Sequence, residues 1–254
     1  MSQPPPKFTW LGHATLRVDL PSGETLVIDP WLAGNPSCPP SHRQLDRVDL
    51  ILVTHAHSDH MADALALARE HDATLISNYD LCSYLEVQGA PRVSGMNLGG
   101  TQEACGVRIS MVRADHSSGF LHAGLPVYGG LAAGYVVQGE GWSFYFAGDT
   151  ALFSDMALVA ELYRPQLAFL PIGDHFTMDP RQAALACRFL GVRQVVPIHW
   201  GTFPLLRGRP ADLEREIGTL GLATEVVTLV PGFPWEPETG ALPARTGLGV
   251  QPSP

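Results

Sequence analysis

The chain has 254 residues, 45% of them hydrophobic and 16% charged, with 25 acidic and 16 basic side chains for a formal net charge of -9. This length and apolar fraction suit a folded unit with a sizeable core, and argue against a disordered chain. The acid excess disfavours sequence-independent binding to phosphate backbones, and no run of about 18 apolar residues is available to span a membrane.

Residues 1–7 are a short, polar, proline-rich lead without the regions of a signal peptide, so the expected location is cytoplasmic. Cys38, Cys82, Cys105 and Cys187 are scattered, form no C-x-x-C pair and read as reduced thiols. Short runs rich in β-branched and aromatic residues predict strands over residues 8–18, 25–28, 49–54, 74–77, 106–113, 134–138, 143–147, 167–172, 194–198 and 224–229. Helices fall between several of them. Residues 61–70 are rich in alanine and leucine, and 80–87, 154–163 and 211–220 are further helical segments. After Asp179 as N-cap, Pro180 opens another helix, and Gly191 stands just past its end.

This order suggests two β-rich layers with helices outside, a four-layer α/β sandwich forming one domain over residues 1–254. The run ending at His55 and the run ending at Gly173-Asp174-His175 resemble each other faintly, as halves of a duplication would. Residues 119–130 read as a glycine-containing loop. Residues 235–254 read as a Pro/Gly-rich tail, either hugging the surface or partly disordered.

The chemistry is concentrated in Thr54-His55-Ala56-His57-Ser58-Asp59-His60, directly after a strand-like run. Three imidazoles and a carboxylate within six residues are the ligand types of zinc and similar borderline metals. One tetrahedral ion cannot use all four, because Asp59 and His60 should project differently from His55 and His57. Two ions are therefore expected, roughly 3.5–4 Å apart and sharing a bridging oxygen. Their other ligands should also follow strands. His116, Asp149 and His199 meet that condition, and Gly148 allows close backbone approach before Asp149.

The ordered set H-x-H-x-D-H, then His, Asp and His, resembles the metallo-β-lactamase superfamily over residues 10 to about 204. Leu11-Gly12-His13-Ala14-Thr15, Ile28-Asp29-Pro30, Gly148-Asp149-Thr150, Ile172-Gly173-Asp174-His175-Phe176-Thr177-Met178 and Ile198-His199-Trp200-Gly201-Thr202-Phe203-Pro204 narrow the likeness. They are similar to a branch of cytosolic metal-dependent hydrolases related to the ascorbate-6-phosphate lactonases.

The resemblance implies an αββα sandwich with His55, His57 and His116 on one metal. Asp59, His60 and His199 would hold the second, and Asp149 would bridge. It further implies hydrolysis of a small ester, lactone or phosphoester by a hydroxide shared between two divalent ions. Zinc is the first expectation, with manganese, iron or nickel as alternatives. Enzymes that hydrolyse β-lactams in the periplasm usually carry a signal peptide, and some use a cysteine ligand; neither feature is seen here. The flavodiiron branch usually has Glu at the position of His57.

Asp59 is expected to orient the nucleophile and shuttle a proton, and His175 to donate one. His13 reads as a pocket residue or a core histidine. Asp29 and Asp174 read as partners of ligand imidazoles or as turn residues. Arg207 and Arg209 would bind an anionic substrate group or simply face solvent. Trp31, Tyr128, Trp200 and Phe203 would wall the pocket or fill the core, while His42, His71 and His122 read as surface residues. The expected partner is a small molecule; membrane and nucleic acid are not, and a homo-oligomer is the family's expectation. Two rival readings are a phosphodiesterase or nuclease, which should carry a basic stripe, and a metal-bearing protein without turnover, which should have lost ligands.

Overall fold

In the computed structural model, which describes residues 4–237, the first strands show how a short glycine turn reorganises the expected segment 8–18. β1 (Lys7–Trp10) and β2 (Leu16–Asp19) are separate strands paired antiparallel, with Trp10 opposite Leu16. Gly12 at φ 90° and His13 at φ 54° turn the chain back between them. A Cβ on Gly12 would stand 2.6 Å from that of Ser37, so only glycine fits this close approach.

β3 (Thr25–Ile28) pairs antiparallel with β2, and β4 (Leu50–Leu52), β5 (Thr74–Asn78) and β6 (Arg92–Met96) then add in parallel. Parallel neighbours need crossovers: a long loop with one short 3-10 turn at Pro40–His42 joins β3 to β4, α1 (Ser58–Met61) and α2 (Ala64–His71) join β4 to β5, and α3 (Tyr79–Val87) joins β5 to β6. The helix expected over 61–70 is thus divided at Ala62 and Asp63. The Asp63 carboxylate there accepts the Leu32 N–H at 2.6 Å.

The second half begins with β7 (Thr101–Ala104) and β8 (Val107–Arg113), followed by a separate hairpin of β9 (Gly119–His122) and β10 (Leu125–Tyr128). It continues through β11 (Ala133–Gly139), β12 (Trp142–Phe146), α4 (Met156–Tyr163), β13 (Leu167–Pro171) and α5 (Pro180–Leu190). β14 (Gln194–Ile198), α6 (Pro210–Thr219), β15 (Glu225–Val226) and β16 (Pro234–Trp235) complete it. α5 is bounded as expected: Asp179 accepts the Gln182 N–H, Pro180 opens the helix, and Gly191 at φ 62° closes it.

The two large sheets have orders β16-β1-β2-β3-β4-β5-β6 and β15-β14-β13-β12-β11-β8-β7. From β16 in one sheet and β7 in the other, each runs through three antiparallel pairs and then three parallel pairs. The likeness between the two halves is therefore one of connectivity. It aligns the turn after β1, holding His13, with the turn after β8, holding His116. It likewise aligns Asp29 after β3 with Asp149 after β12.

Alternate strand residues enter different layers. Leu26 and Ile28 join Phe8, Phe144 and Phe169 between the sheets, whereas Val27 packs with Leu67 and Leu85 beneath α2 and α3. Met156, Leu190 and Leu213 bury the helices of the other face against Ala168 and Leu170. The result is the αββα sandwich.

The segment read as a loop over 119–130 contains the β9–β10 hairpin. β6 and β7 were not predicted because their residues are half-exposed and lack an apolar run. The strand expected over 224–229 shortens to Glu225–Val226. Of the tail, Trp235 pairs with Phe8, and residues from 238 onward lie outside the described part of the chain. No helix among the described residues is long and apolar enough to cross a membrane.

Candidate metal centre

The loop after β4 splits the histidine cluster in two because α1 begins inside it. His55 and His57 lie on the chain entering α1, with His57 extended at φ -67° and ψ 146°, while Asp59 and His60 lie on its first turn. His55 Nε2 and His57 Nδ1 stand 3.0 Å apart, and His116 arrives after β8 with its ring 5.1 Å from each of theirs. His60, Asp59 and His199 form the other group, joined by His13. Within each group the candidate donor atoms lie within 4.8 Å of one another.

Asp149 stands between the groups. Its Oδ2 is 3.6 Å from His116 Nε2, 3.3 Å from His60 Nε2 and 3.1 Å from His199 Nε2. Gly148 before it adopts φ 62° and passes against Thr54, where a Cβ would meet Thr54 Cβ at 2.8 Å. The strand end can approach the histidine loop only because residue 148 has no side chain.

Hydrogen bonds orient the rings. The buried Asp29 carboxylate accepts the Thr54 N–H at 2.7 Å, the Thr54 hydroxyl at 2.7 Å and the His60 Nδ1–H at 2.8 Å. The Thr54 oxygen, its proton committed to Asp29, accepts from His55 Nδ1 at 2.9 Å. Both rings thereby direct a lone pair on Nε2 towards the centre. This is the arrangement by which outer partners orient metal-binding imidazoles.

The electrostatics favour the neutral ring at His55, His57 and His116 and the charged ring at His60. Burial and the neighbouring His60 push His55 well below the ordinary histidine value, and burial also lowers His57 and His116. Burial works against charge on His60 too, but the Asp149 and Asp29 carboxylates outweigh it and raise His60. Burial would raise Asp149, yet His199 and His60 hold it well below the usual carboxylate range.

Buried His60 Nε2, Asp149 Oδ1 and both His199 ring nitrogens have no hydrogen-bond partner among the described residues. Desolvated polar atoms of this kind are costly unless something coordinates them. Nitrogen and carboxylate oxygen donors on converging strand ends fit divalent ions. All seven expected ligands, His55, His57, Asp59, His60, His116, Asp149 and His199, are brought together.

A cleft of about 260 Å³ opens over this cluster, lined by His57, Asp59, His116, Ser117, Asp149, Phe176, His199 and Phe203. Phe203 is the wall residue expected from the sequence, and Phe176 was missed there, as a lone aromatic on a turn carries no periodic signal. Trp31 packs on His13 and Phe203, Trp200 stacks on Trp10, and Tyr128 lies exposed on the hairpin. Ser118 supports the loop from behind, accepting the Ala56 N–H and donating to the Gly129 carbonyl.

His13 is fully buried and does not line the cleft; it bonds Asp59 from behind. His175 is exposed, at φ 47°, and packs edge-on against Phe176 at 4.4 Å without lining the cleft itself. Asp174 is an exposed turn residue whose backbone bonds Met178, so of the two outer aspartates only Asp29 supports an imidazole. Arg207 and Arg209 are exposed and absent from the cleft lining.

The model of the beta-lactamase superfamily domain matches residues 24–200, spanning the histidine cluster together with His116, Asp149 and His199. The chain belongs to the metallo-β-lactamase superfamily. Within the superfamily it groups with metal-dependent hydrolases. One from Solibacter usitatus is 49% identical over 229 residues, covering 90% of this chain and 98% of that protein. Another, from Methanopyrus kandleri, is 45% identical over 230 residues, with 91% and 99% covered. Among solved structures, the metallo hydrolase Igni18 of Ignicoccus hospitalis superposes with a TM-score of 0.80 at 34% identity, covering 92% of this chain and 99% of that one. The protein is thus a metal-dependent hydrolase of this superfamily, and the fold expected from the resemblance is the fold found.

Proposed function

We propose that the cluster is a dinuclear centre, most suited to zinc, that hydrolyses a small uncharged ester or lactone. The observation that carries this reading is the position of Asp149, whose Oδ2 stands within 3.6 Å of His116 on one side and 3.3 Å of His60 on the other. One carboxylate reaching both groups is what a bridging ligand requires. His55, His57 and His116 would hold one ion, and Asp59, His60 and His199 the other. Bound divalent ions supply Lewis acidity and an activated water at neutral pH.

The chain's own residues supply orientation and proton movement. Asp59 faces the cleft and would orient the attacking water, accept its proton and release it to solvent. His175, beside Phe176 at the rim, would protonate the leaving group. Phe176 and Phe203 offer apolar walls, and no Lys or Arg is among the lining residues. Such a lining favours an acyl substrate with an apolar arm over a phosphoester.

Elemental mass spectrometry of purified wild-type and Asp149→Ala protein, followed by assays on acyl esters, lactones and bis(p-nitrophenyl) phosphate, tests the reading. Near two equivalents of metal, falling sharply in the variant, with ester or lactone turnover, is expected. No metal uptake after dialysis against zinc or manganese would overturn the centre. Turnover of the phosphodiester alone would overturn the substrate class.

A further inference from the structure

Resting on the metal-centre reading, we infer that His13 is the positioning residue for Asp59 and is itself held by the hydroxyl of Thr202. His13 lies 46 residues from Asp59 and 189 from Thr202 in sequence, yet its ring joins the two. Nε2 is 3.0 Å from Asp59 Oδ2, and Nδ1 is 3.0 Å from Thr202 Oγ1. An ionised carboxylate can only accept, so Nε2 carries the proton, and Nδ1 accepts from the Thr202 hydroxyl. Thr202 Oγ1 in turn accepts from Ser37 Oγ at 3.5 Å. Every donor in this chain of bonds points towards Asp59.

The backbone of His13 is held as firmly as its ring. Its carbonyl accepts the His199 N–H and the Trp10 indole N–H, each at 2.9 Å. Its left-handed φ of 54° is unusual for a residue with a side chain, and it follows Gly12 in the tight turn between β1 and β2. The same residue therefore sets the height of His199 through its backbone and the angle of Asp59 through its ring. Asp59 needs such a support because it is the most exposed carboxylate of the cluster, at 29% for the side chain, and sits on a single turn of helix.

His13 lies close enough to Asp59, His60 and His199 to be considered a fourth ligand, but its partners argue otherwise. Both of its ring nitrogens are already hydrogen-bonded, whereas His60 and His199 each present a buried Nε2 without a partner. Its ring also lies 3.9 Å from that of His199, in tilted face contact. Although connectivity aligns the turn of His13 with that of His116, the ring in the first half buttresses a ligand instead of being one.

The test measures zinc affinity by chelator competition, together with kcat and KM, for wild type, His13→Ala, His13→Gln and Thr202→Val. A glutamine amide can donate from near the place of Nε2, so His13→Gln should retain most of the affinity. His13→Ala should weaken the more loosely held equivalent by about 10- to 100-fold, the usual effect of losing a ligand's outer partner. Thr202→Val should keep the metal and lower kcat with KM little changed. Loss of an equivalent in His13→Gln as complete as in His13→Ala would make His13 a ligand and overturn the proposal. Wild-type affinity and kcat in Thr202→Val would overturn the part given to its hydroxyl. Zinc binding is read without substrate, so a wild type that holds zinc but cleaves no ester sinks the substrate class alone. A wild type that takes up no zinc sinks the metal-centre reading before any variant is compared.

Discussion

Asp29 and His60 form a fully buried pair, with Nδ1 of the imidazole 2.8 Å from Oδ2 of the carboxylate. The same carboxylate holds Thr54 through two further bonds and, through the Thr54 hydroxyl, His55. One side chain thus aims an imidazole in each of the two groups. Asp29→Asn keeps the shape but replaces one acceptor oxygen by a donor, so one of its bonds must become a clash of two donors. The expected result is about 10- to 100-fold weaker metal binding, read by chelator competition. Unchanged affinity would show that the pair only packs.

Gly148 tests how closely Asp149 must be held. Gly148→Ala places a methyl against Thr54 at a backbone conformation that disfavours side chains. It should destabilise the fold by more than about 1 kcal/mol and lower the bound metal. Denaturant unfolding and elemental analysis of the same preparation measure both effects. A variant of wild-type stability and metal content would contradict the close approach.

The cleft walls should show themselves in substrate preference. Phe176 and Phe203 are 51% and 38% exposed, so each can still lose water to a bound apolar group. Truncation of either to alanine should cost about 1 kcal/mol of binding, roughly fivefold in KM, for esters with a bulky apolar acyl group. Acetyl esters should respond less. Equal effects on both series would remove the phenylalanines from substrate recognition.

Leaving-group dependence tests His175. A proton donor matters when the departing alkoxide is basic, and matters little for p-nitrophenolate. His175→Gln should therefore lower kcat on alkyl esters by about a hundredfold and leave p-nitrophenyl esters nearly untouched. Equal slowing of the two, or none, assigns the donor elsewhere.

Acid should expose the neutral state of His13 in the metal-free protein. Burial, with His199 alongside, lowers its pKa from the ordinary 6.5 to about 4. The folded state therefore takes the proton less readily than the unfolded state. The associated stability is complete above about pH 6.5 and is lost as pH falls towards 4. The lowering corresponds to roughly 3 kcal/mol. Because His60 shifts in the opposite direction, the comparison is between wild type and His13→Gln, each unfolded in urea from pH 7.5 to 4. Wild type should lose ground to the variant across that window, and a constant difference would mean that folding leaves His13 as basic as it is in the unfolded chain.

Much of the centre was legible because metal ligands must be particular residue types at the ends of rigid elements. H-x-H-x-D-H after an apolar run, and single His or Asp residues after three later runs, satisfy that rule in the linear chain. α5 was legible for a similarly local reason: its cap, its first-turn proline and its terminal glycine act within a few residues of one another. The connectivity of the two halves was faintly visible in the matching strand ends.

Tertiary structure decided what depends on distant partners. Residues 8–18 became two strands because Gly12 packs against Ser37, and the edge strands β6 and β7 form through ladder bonds that leave little trace in hydrophobic pattern. Asp29 and Asp174 both precede or follow turns in the sequence, yet only the first reaches an imidazole. His13 could have been a pocket, core or ligand residue until the fold set it between Asp59 and Thr202. Ligand chemistry is written into individual side chains, whereas support and orientation arise from which side chains the packed sheets bring within 3 Å of each other.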